Sequence, residues 1–412
     1  MAFTREAVEA LSALHDEPAW LRDRRLQAYE VFERTPLPDT RRDKDWRQVD
    51  LKPLRLDAFQ PFAPPNGKAG PALTSDSALA GKGVIFCPLW QAAAEHPELL
   101  QRYLFNGVRP ERDKFTALHA AFFSGGTFLY VPEGVQLTEP LISRYPSSGV
   151  GVATMPHTVI VAAAGSRFQY LDEFAGEGGQ AGADGAQPNL ASGSTEIFVE
   201  DGASIDYVGL QRWEMSAWQF ASQQARLGRD AQLRLYDVAL GGRFARLRLE
   251  VMLEGPGASA ELKGLFFGSG EQAFDFRTLQ DHLAPHTTSD LLFKGALRDV
   301  ARSVYVGVVR VEKQAPGTSA NQANRNLLLS EHSRATSEPI LEIENNDILR
   351  CSHGATVGPV DPEHLFYLLS RGISRRVAER MLVEGFLAEV FDRVPLAYAR
   401  DAVEQELAHR IG

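Results

Sequence analysis

From Gly134 to Gly257 one arrangement returns five times: a turn residue, usually a small residue after it, then a short run with apolar residues in alternation. The copies are Gly134-Val-Gln-Leu, Gly165-Ser-Arg-Phe-Gln-Tyr, Gly202-Ala-Ser-Ile-Asp-Tyr, Asp230-Ala-Gln-Leu-Arg-Leu and Gly257-Ala-Ser-Ala-Glu-Leu. Their turn residues stand 31, 37, 28 and 27 residues apart. A fixed period of this size marks a solenoid, and alternation inside each unit marks a strand with one face turned inward. A strand-rich unit of this length fits one coil of a parallel β-helix. There each strand pairs with its equivalent one coil away, and only the end coils present edges. An antiparallel sandwich would need tight hairpin turns, and in this region Asp201-Gly202 and Asp184-Gly185 are the exceptions that offer them. The expected fold is therefore mainly β, a right-handed parallel β-helix with helical regions on both sides. The longest interval contains Gly176 to Pro188, a Gly/Ala/Gln-rich stretch that reads as a loop inserted into one coil.

Before the repeats, residues 1 to about 35 read as helical, with Leu11, Leu14, Trp20, Leu21, Leu26, Tyr29, Val31 and Phe32 at helical spacing. Pro36 and Pro38 stop that pattern, and Gln60 to Pro71 reads as a linker or covering loop. A small mixed unit follows: a strand at Gly83-Val-Ile-Phe-Cys-Pro-Leu89 and a helix from about Gln91 to Leu104. After Val360 the period becomes helical. Asp361-Pro362 gives an N-cap with proline at the first helical position, and Leu365, Phe366, Leu368 and Leu369 fall on the side expected to be buried. Gly372 closes that helix, Ser374 caps a second running through Met381, Phe386 and Phe391, and a third spans about Leu396 to Ala408. The expected organisation is 1–114 helical and mixed, 115–360 β-helix, and 361–412 a small helical bundle with Phe366, Leu369, Met381 and Phe386 in its core.

Charge and cysteine usage narrow the function. With 43 basic against 53 acidic residues the net charge is −10, which argues against nucleic acid or an anionic membrane as main partner. The longest apolar runs, such as Val159 to Ala164, are too short to span a bilayer, and Met1-Ala-Phe-Thr-Arg-Glu-Ala lacks the apolar stretch of a secretory signal. Cys87 and Cys351 form no disulfide framework, so a reducing, cytoplasmic setting is expected. The glycine-rich stretches lack a following Lys-Ser/Thr, so ATP use would belong to a partner. No Cys-x-x-Cys is present, and one chain alone lacks the four thiolates of a stable cluster.

Cys351 and His353 stand two apart in a strand-like setting, where i and i+2 share a face, so thiol and imidazole can address one site. Both are good ligands for iron. His282 and His286 have helical spacing, which would suit a metal site, but Pro285 between them argues against a helix, and a structural or solvated pair is expected. His332 falls in a turn, and Cys87, within Val84-Ile-Phe-Cys-Pro-Leu-Trp, reads as a core position.

Several segments together resemble the SufB/SufD family of SUF iron–sulfur cluster assembly scaffolds. They are Arg310-Val-Glu-Lys-Gln-Ala-Pro-Gly-Thr, Arg325-Asn-Leu-Leu-Leu-Ser, Pro339-Ile-Leu-Glu-Ile-Glu, Cys351-Ser-His-Gly-Ala-Thr-Val-Gly and Leu365-Phe-Tyr-Leu-Leu-Ser-Arg-Gly-Ile. Fainter similarity covers Glu17-Pro-Ala-Trp-Leu and Asp45-Trp-Arg-Gln-Val-Asp-Leu, and the latter, with Asp281-His-Leu-Ala-Pro-His-Thr, resembles the SufD branch. The resemblance implies a non-catalytic scaffold subunit that pairs with a SufB-like subunit, or with itself when alone. It implies a SufC-like ABC ATPase bound through the C-terminal helices. It also implies that Cys351 and His353 lie near the subunit junction, where they would contribute to a transient iron–sulfur cluster shared with the partner. The rival reading, a β-helix enzyme acting on polysaccharide, calls for a secretory signal and a carboxylate cluster on one face, and neither is apparent.

Overall fold

Gly134, Gly165, Gly202, Asp230, Gly257, His286 and Gly317 all have left-handed backbone, φ between +54° and +77°, and they stack into one corner of the molecule. Each of the first six donates its N–H to the carbonyl just before the next: Gly134 to Ala164, Gly165 to Asp201, Gly202 to Arg229, Asp230 to Pro256, Gly257 to Pro285, and His286 to Pro316. Gly317 continues the ladder to Asp347. The residue after the turn points into the corner, and Ser166, Ala203, Ala231, Ala258, Thr287 and Thr318 there are fully buried. This explains why a turn residue followed by a small one recurs: the first must tolerate positive φ and the second must fit a closed corner.

The computed structural model describes residues 2–61, 71–75, 79–146, 151–175 and 188–411. Most of the inserted loop expected at Gly176 to Pro188, and most of the linker expected at Gln60 to Pro71, lie outside the described residues. The corners join two long sheets. The first face runs through strands Gly125–Val131, Pro156–Ala162, Leu190–Val199, Trp218–Leu227, Phe244–Leu253, Ala273–His282, Arg302–Val311 and Arg334–Ile343. The second runs through Leu141–Pro146, Arg167–Ala175, Ser204–Arg212, Gln232–Ala239, Ser259–Gly268, Thr288–Leu297, Thr318–Leu328 and Ile348–Pro359. Within these two series every pairing is parallel and one coil apart, as in Ser204 with Gln232 and Gln232 with Ser259. The β-solenoid expected from the repeat is the observed fold.

Inward side chains fill the lumen. Leu233, Leu235, Leu249, Val251, Leu262 and Leu291 lie in one buried cluster, and the rings of Phe266, Phe274, Phe276, Phe293 and Tyr305 follow one another at centroid separations of 4.8–5.9 Å. Gly264 and Gly295 make room for this column: a Cβ on Gly264 would fall 2.4 Å from the Phe293 ring.

The two ends of the solenoid differ. At the N-terminal end, Ile85–Pro88 pairs antiparallel with Gly125–Val131 and Ala72–Thr74 antiparallel with Leu141–Pro146, which covers the edges. At the other end, among the described residues, Arg334–Ile343 and Ile348–Pro359 each have a strand on one side only.

Helices cover the outer side of both faces. The expected N-terminal helix is two, α1 (Arg5–Leu14) and α2 (Ala19–Arg34), because Asp16 takes positive φ and Pro18 sits at the α2 N-cap. Glu17 between them grips Arg25 at 2.6 and 2.8 Å, and Arg25 also lies 3.5 Å over the Phe123 ring. The helix expected from Gln91 is likewise split, into α3 (Leu89–Glu95) and α4 (Pro97–Tyr103), with Pro97 restarting it. Helix α5 (Lys114–Phe122) starts on an Asp113–Thr116 capping box and is buried along its whole length against the first face.

The C-terminal helices α6 (Pro362–Ser370), α7 (Arg375–Phe391) and α8 (Ala397–Ile411) correct the expectation of a self-contained bundle. Val383, Leu387, Val390, Leu396, Val403 and Leu407 pack onto the outward residues Tyr236, Val238, Leu265, Phe267 and Leu292 of the second face. Lys294 fastens α7 there, reaching Glu389 and the Phe386 carbonyl. Phe366 is 72% exposed, and Leu369 and Met381 are exposed too, so three of the four residues expected in a bundle core lie in solvent, while Phe386 packs half-buried against the second face; Leu365 and Leu368 are half-buried. No helix among the described residues is long and apolar enough to cross a membrane.

Candidate functional site

The site lies at the open end. Strand Ile348–Pro359 is stacked on Thr318–Leu328 with Cys351 opposite Ala320 and His353 opposite Gln322. Ala320 and Gln322 point into the lumen and are fully buried, so the residues stacked on them face the lumen's open mouth. Cys351 is half-buried against Val309, Val311, Ala315, Ala320, Leu341 and Ile348, and His353 is exposed. Sharing one side of the strand, thiol and imidazole address the same space, as the two-residue spacing predicts.

A register shift sets this up. Thr318 pairs with Ile348, yet Ser319 pairs with Arg350, so Leu349 is an extra residue. Leu349 is 77% exposed, and with Ile340, Ile343 and Val357 it makes the end of the solenoid apolar. Gly354 and Gly358 leave open space: a Cβ on either meets nothing within 4 Å. Burial pushes the Cys351 thiol above its ordinary value, which keeps it protonated. Arg350 is exposed, as expected for a residue on the opposite side from Cys351. Among the described residues no three His, Cys, Asp or Glu side chains converge as a metal-holding group.

The other candidates lie away from this end pair. His282 is buried, with Nδ1 2.7 Å from Thr287 Oγ1 and Nε2 2.8 Å from Ser289 Oγ, and burial pushes its pKa down to about 4. His286 is the left-handed corner residue of its coil, so the pair does not form one site. His332 is exposed on a turn. Cys87 is buried in the capping strand opposite Phe128, its thiol pushed up to about 12 by desolvation.

Sequence reasoning missed two features. Leu349 bears no signal, because the bulge depends on the register of its neighbour strand. The buried chain His119–His157–Glu196 joins residues far apart in sequence, at 3.0 and 2.9 Å.

The chain is thus a β-solenoid with helices on both sides and one open, apolar end that bears Cys351 and His353. The family model for the SUF system FeS cluster assembly SufBD core domain matches residues 145–386, and that for the SufBD protein N-terminal region matches 67–142. The chain belongs to the SufBD family of iron–sulfur cluster assembly proteins. It is 31% identical to the iron–sulfur cluster assembly protein SufD of Bacillus subtilis, over 96% of this chain and 95% of that one. It is 32% identical to a SufBD family protein of Mycobacterium tuberculosis over 73% of this chain and 74% of the relative. A SufBD family protein of Staphylococcus epidermidis is 27% identical over 96% and 90%.

Proposed function

We propose that this chain is the SufD-type, non-catalytic scaffold subunit of an iron–sulfur cluster assembly complex. Its open solenoid end pairs with a SufB-like subunit, and Cys351 and His353 then lie at the junction, contributing ligands to a nascent cluster that is cargo shared between the subunits. The observation that carries this reading is the pair of uncovered strands, Arg334–Ile343 and Ile348–Pro359, with exposed Leu349 and Val357 beside the Cys/His side. An uncovered, apolar strand edge invites pairing with another chain, and the opposite end of the same solenoid is covered. In the absence of a partner a second copy would occupy the same edge as a homodimer.

A SufC-like ABC ATPase docks on the C-terminal helices. Support comes from α6, whose Phe366 and Tyr367 are exposed while α7 and α8 cover the second face. Co-expression with SufB-like and SufC-like partners tests the assignment. A stable complex containing all three chains supports it; a chain that neither pairs with the SufB-like subunit nor retains the ATPase overturns it.

A further inference from the structure

The lumen is not filled alike along its length. Phe266 stacks on Ala239 of the preceding coil, Phe274 on Ala245, and Phe276 on Leu247, then Ala221, then Gly193. Rows that carry rings in the later coils therefore carry a methyl or no side chain in the earlier ones. The room this leaves is a chamber of about 40 Å³ with Gly193, Gly209, Ala221 and Ala239 in its wall. A Cβ on Gly193 would meet nothing within 4 Å. The rings of Phe174, Trp213 and Phe276 line other parts of the same wall.

Two polar side chains also face this space, Gln223 from the first face and Asp237 from the second. Each is more than nine-tenths buried, and Gln223 Nε2 donates to Asp237 Oδ1 at 3.1 Å. Among the described residues the remaining oxygens, Gln223 Oε1 and Asp237 Oδ2, have no hydrogen-bond partner. Buried oxygens left dry and unpaired are costly, and two of them in the wall of one chamber point to a ligand.

We propose that the chamber is an internal hydration site, whose water bridges Asp237 Oδ2 and Gln223 Oε1. An amide oxygen only accepts, so its partner must donate. A carboxyl oxygen accepts when ionised and donates when protonated, and one water can meet it in either state while donating to the amide. An anion such as chloride brings no donor. Among the described residues no three His, Cys, Asp or Glu side chains converge to hold a metal ion. Gln211 and Gln219, which also line the chamber, are bonded to each other, and Gln211 is further held by the backbone of Leu240 and Gly241. A buried water needs roughly 10–15 Å³ of such volume, so the chamber takes about three. The bridge ties strand Trp218–Leu227 to strand Gln232–Ala239 where ring packing does not.

A high-resolution crystal structure of the full chain, repeated under xenon pressure, tests this without a variant. Polar chambers keep their water, whereas dry apolar ones take up xenon. Density for a water within about 2.7–3.2 Å of both oxygens is expected, and xenon should stay out. A chamber without water, water that fails to reach both oxygens, or xenon in its place overturns the site.

Discussion

Ile348 and Cys351 pack in the same lumenal cluster although they stand three positions apart. Regular alternation would place them on opposite sides, and the extra Leu349 reconciles the two. The bulge thus turns Cys351 and His353 toward the lumen while aiming Leu349 outward.

This separates assembly from folding. Leu349→Asp alters a side chain in solvent, so the isolated chain should unfold within about 0.5 kcal/mol of the parent in denaturant. Pairing with the SufB-like subunit should be lost, because a charge replaces an apolar contact. Unchanged pairing by size-exclusion chromatography would remove Leu349 from the interface.

On the C-terminal helices, Phe366→Ala and Tyr367→Ala change exposed rings, so ATPase binding should weaken at least tenfold with little change in Tm. Cutting the chain after Val360 is a different experiment. It uncovers Val238, Leu265, Phe267 and Leu292, and the remaining solenoid should aggregate. Undiminished ATPase binding in the double variant would place the contact elsewhere.

The Glu17–Arg25 pair tests the N-terminal packing. Both side chains are 1–2% exposed, so Glu17→Ala strands a guanidinium among α5 and Phe123 and should cost about 3–5 kcal/mol in denaturant unfolding. A loss under about 1 kcal/mol would mean that water reaches Arg25.

Inside the lumen, desolvation raises the Asp237 carboxyl to about 7, with Gln223 donating to Oδ1 at 3.1 Å. Its unfolded value is about 3.9, so between those limits the native chain keeps a proton that the unfolded chain has lost. Its contribution to stability therefore falls as pH rises from about 4 to 7 and is level above. Asp237→Asn should gain on the parent over that window, by up to about 4 kcal/mol, in urea titrations at stepped pH. A constant difference across the window would show that Asp237 does not titrate there.

Much of the fold was legible because its rule is local: the corner needs a residue that accepts positive φ and a small one after it, and both are written in Gly202-Ala203 and Asp230-Ala231. The Cys351–His353 pair was legible for the same reason, since strand alternation needs two residues only. What escaped depends on distant chain. Phe366 has the pattern of a core residue, but the cluster that buries α7 and α8 on the second face takes in no residue of α6. Trp46 marks a segment that crosses the first face under Arg246, whose guanidinium sits 3.7 Å from its ring, with Asp45 held by Arg248 at 2.9 Å. No spacing within residues 45–51 announces those partners.

On the proposed function, the Cys351/His353 side of the open end takes part in cluster assembly. Its most direct test is the iron and acid-labile sulfide content of the anaerobically purified complex, compared among the parent, His353→Ala and Cys351→Ala. His353 is exposed and an imidazole binds iron in its neutral form, whereas the Cys351 thiol is half-buried and held protonated. A strong loss of both elements is expected in His353→Ala and a smaller one in Cys351→Ala. Full iron and sulfide content in His353→Ala would contradict it.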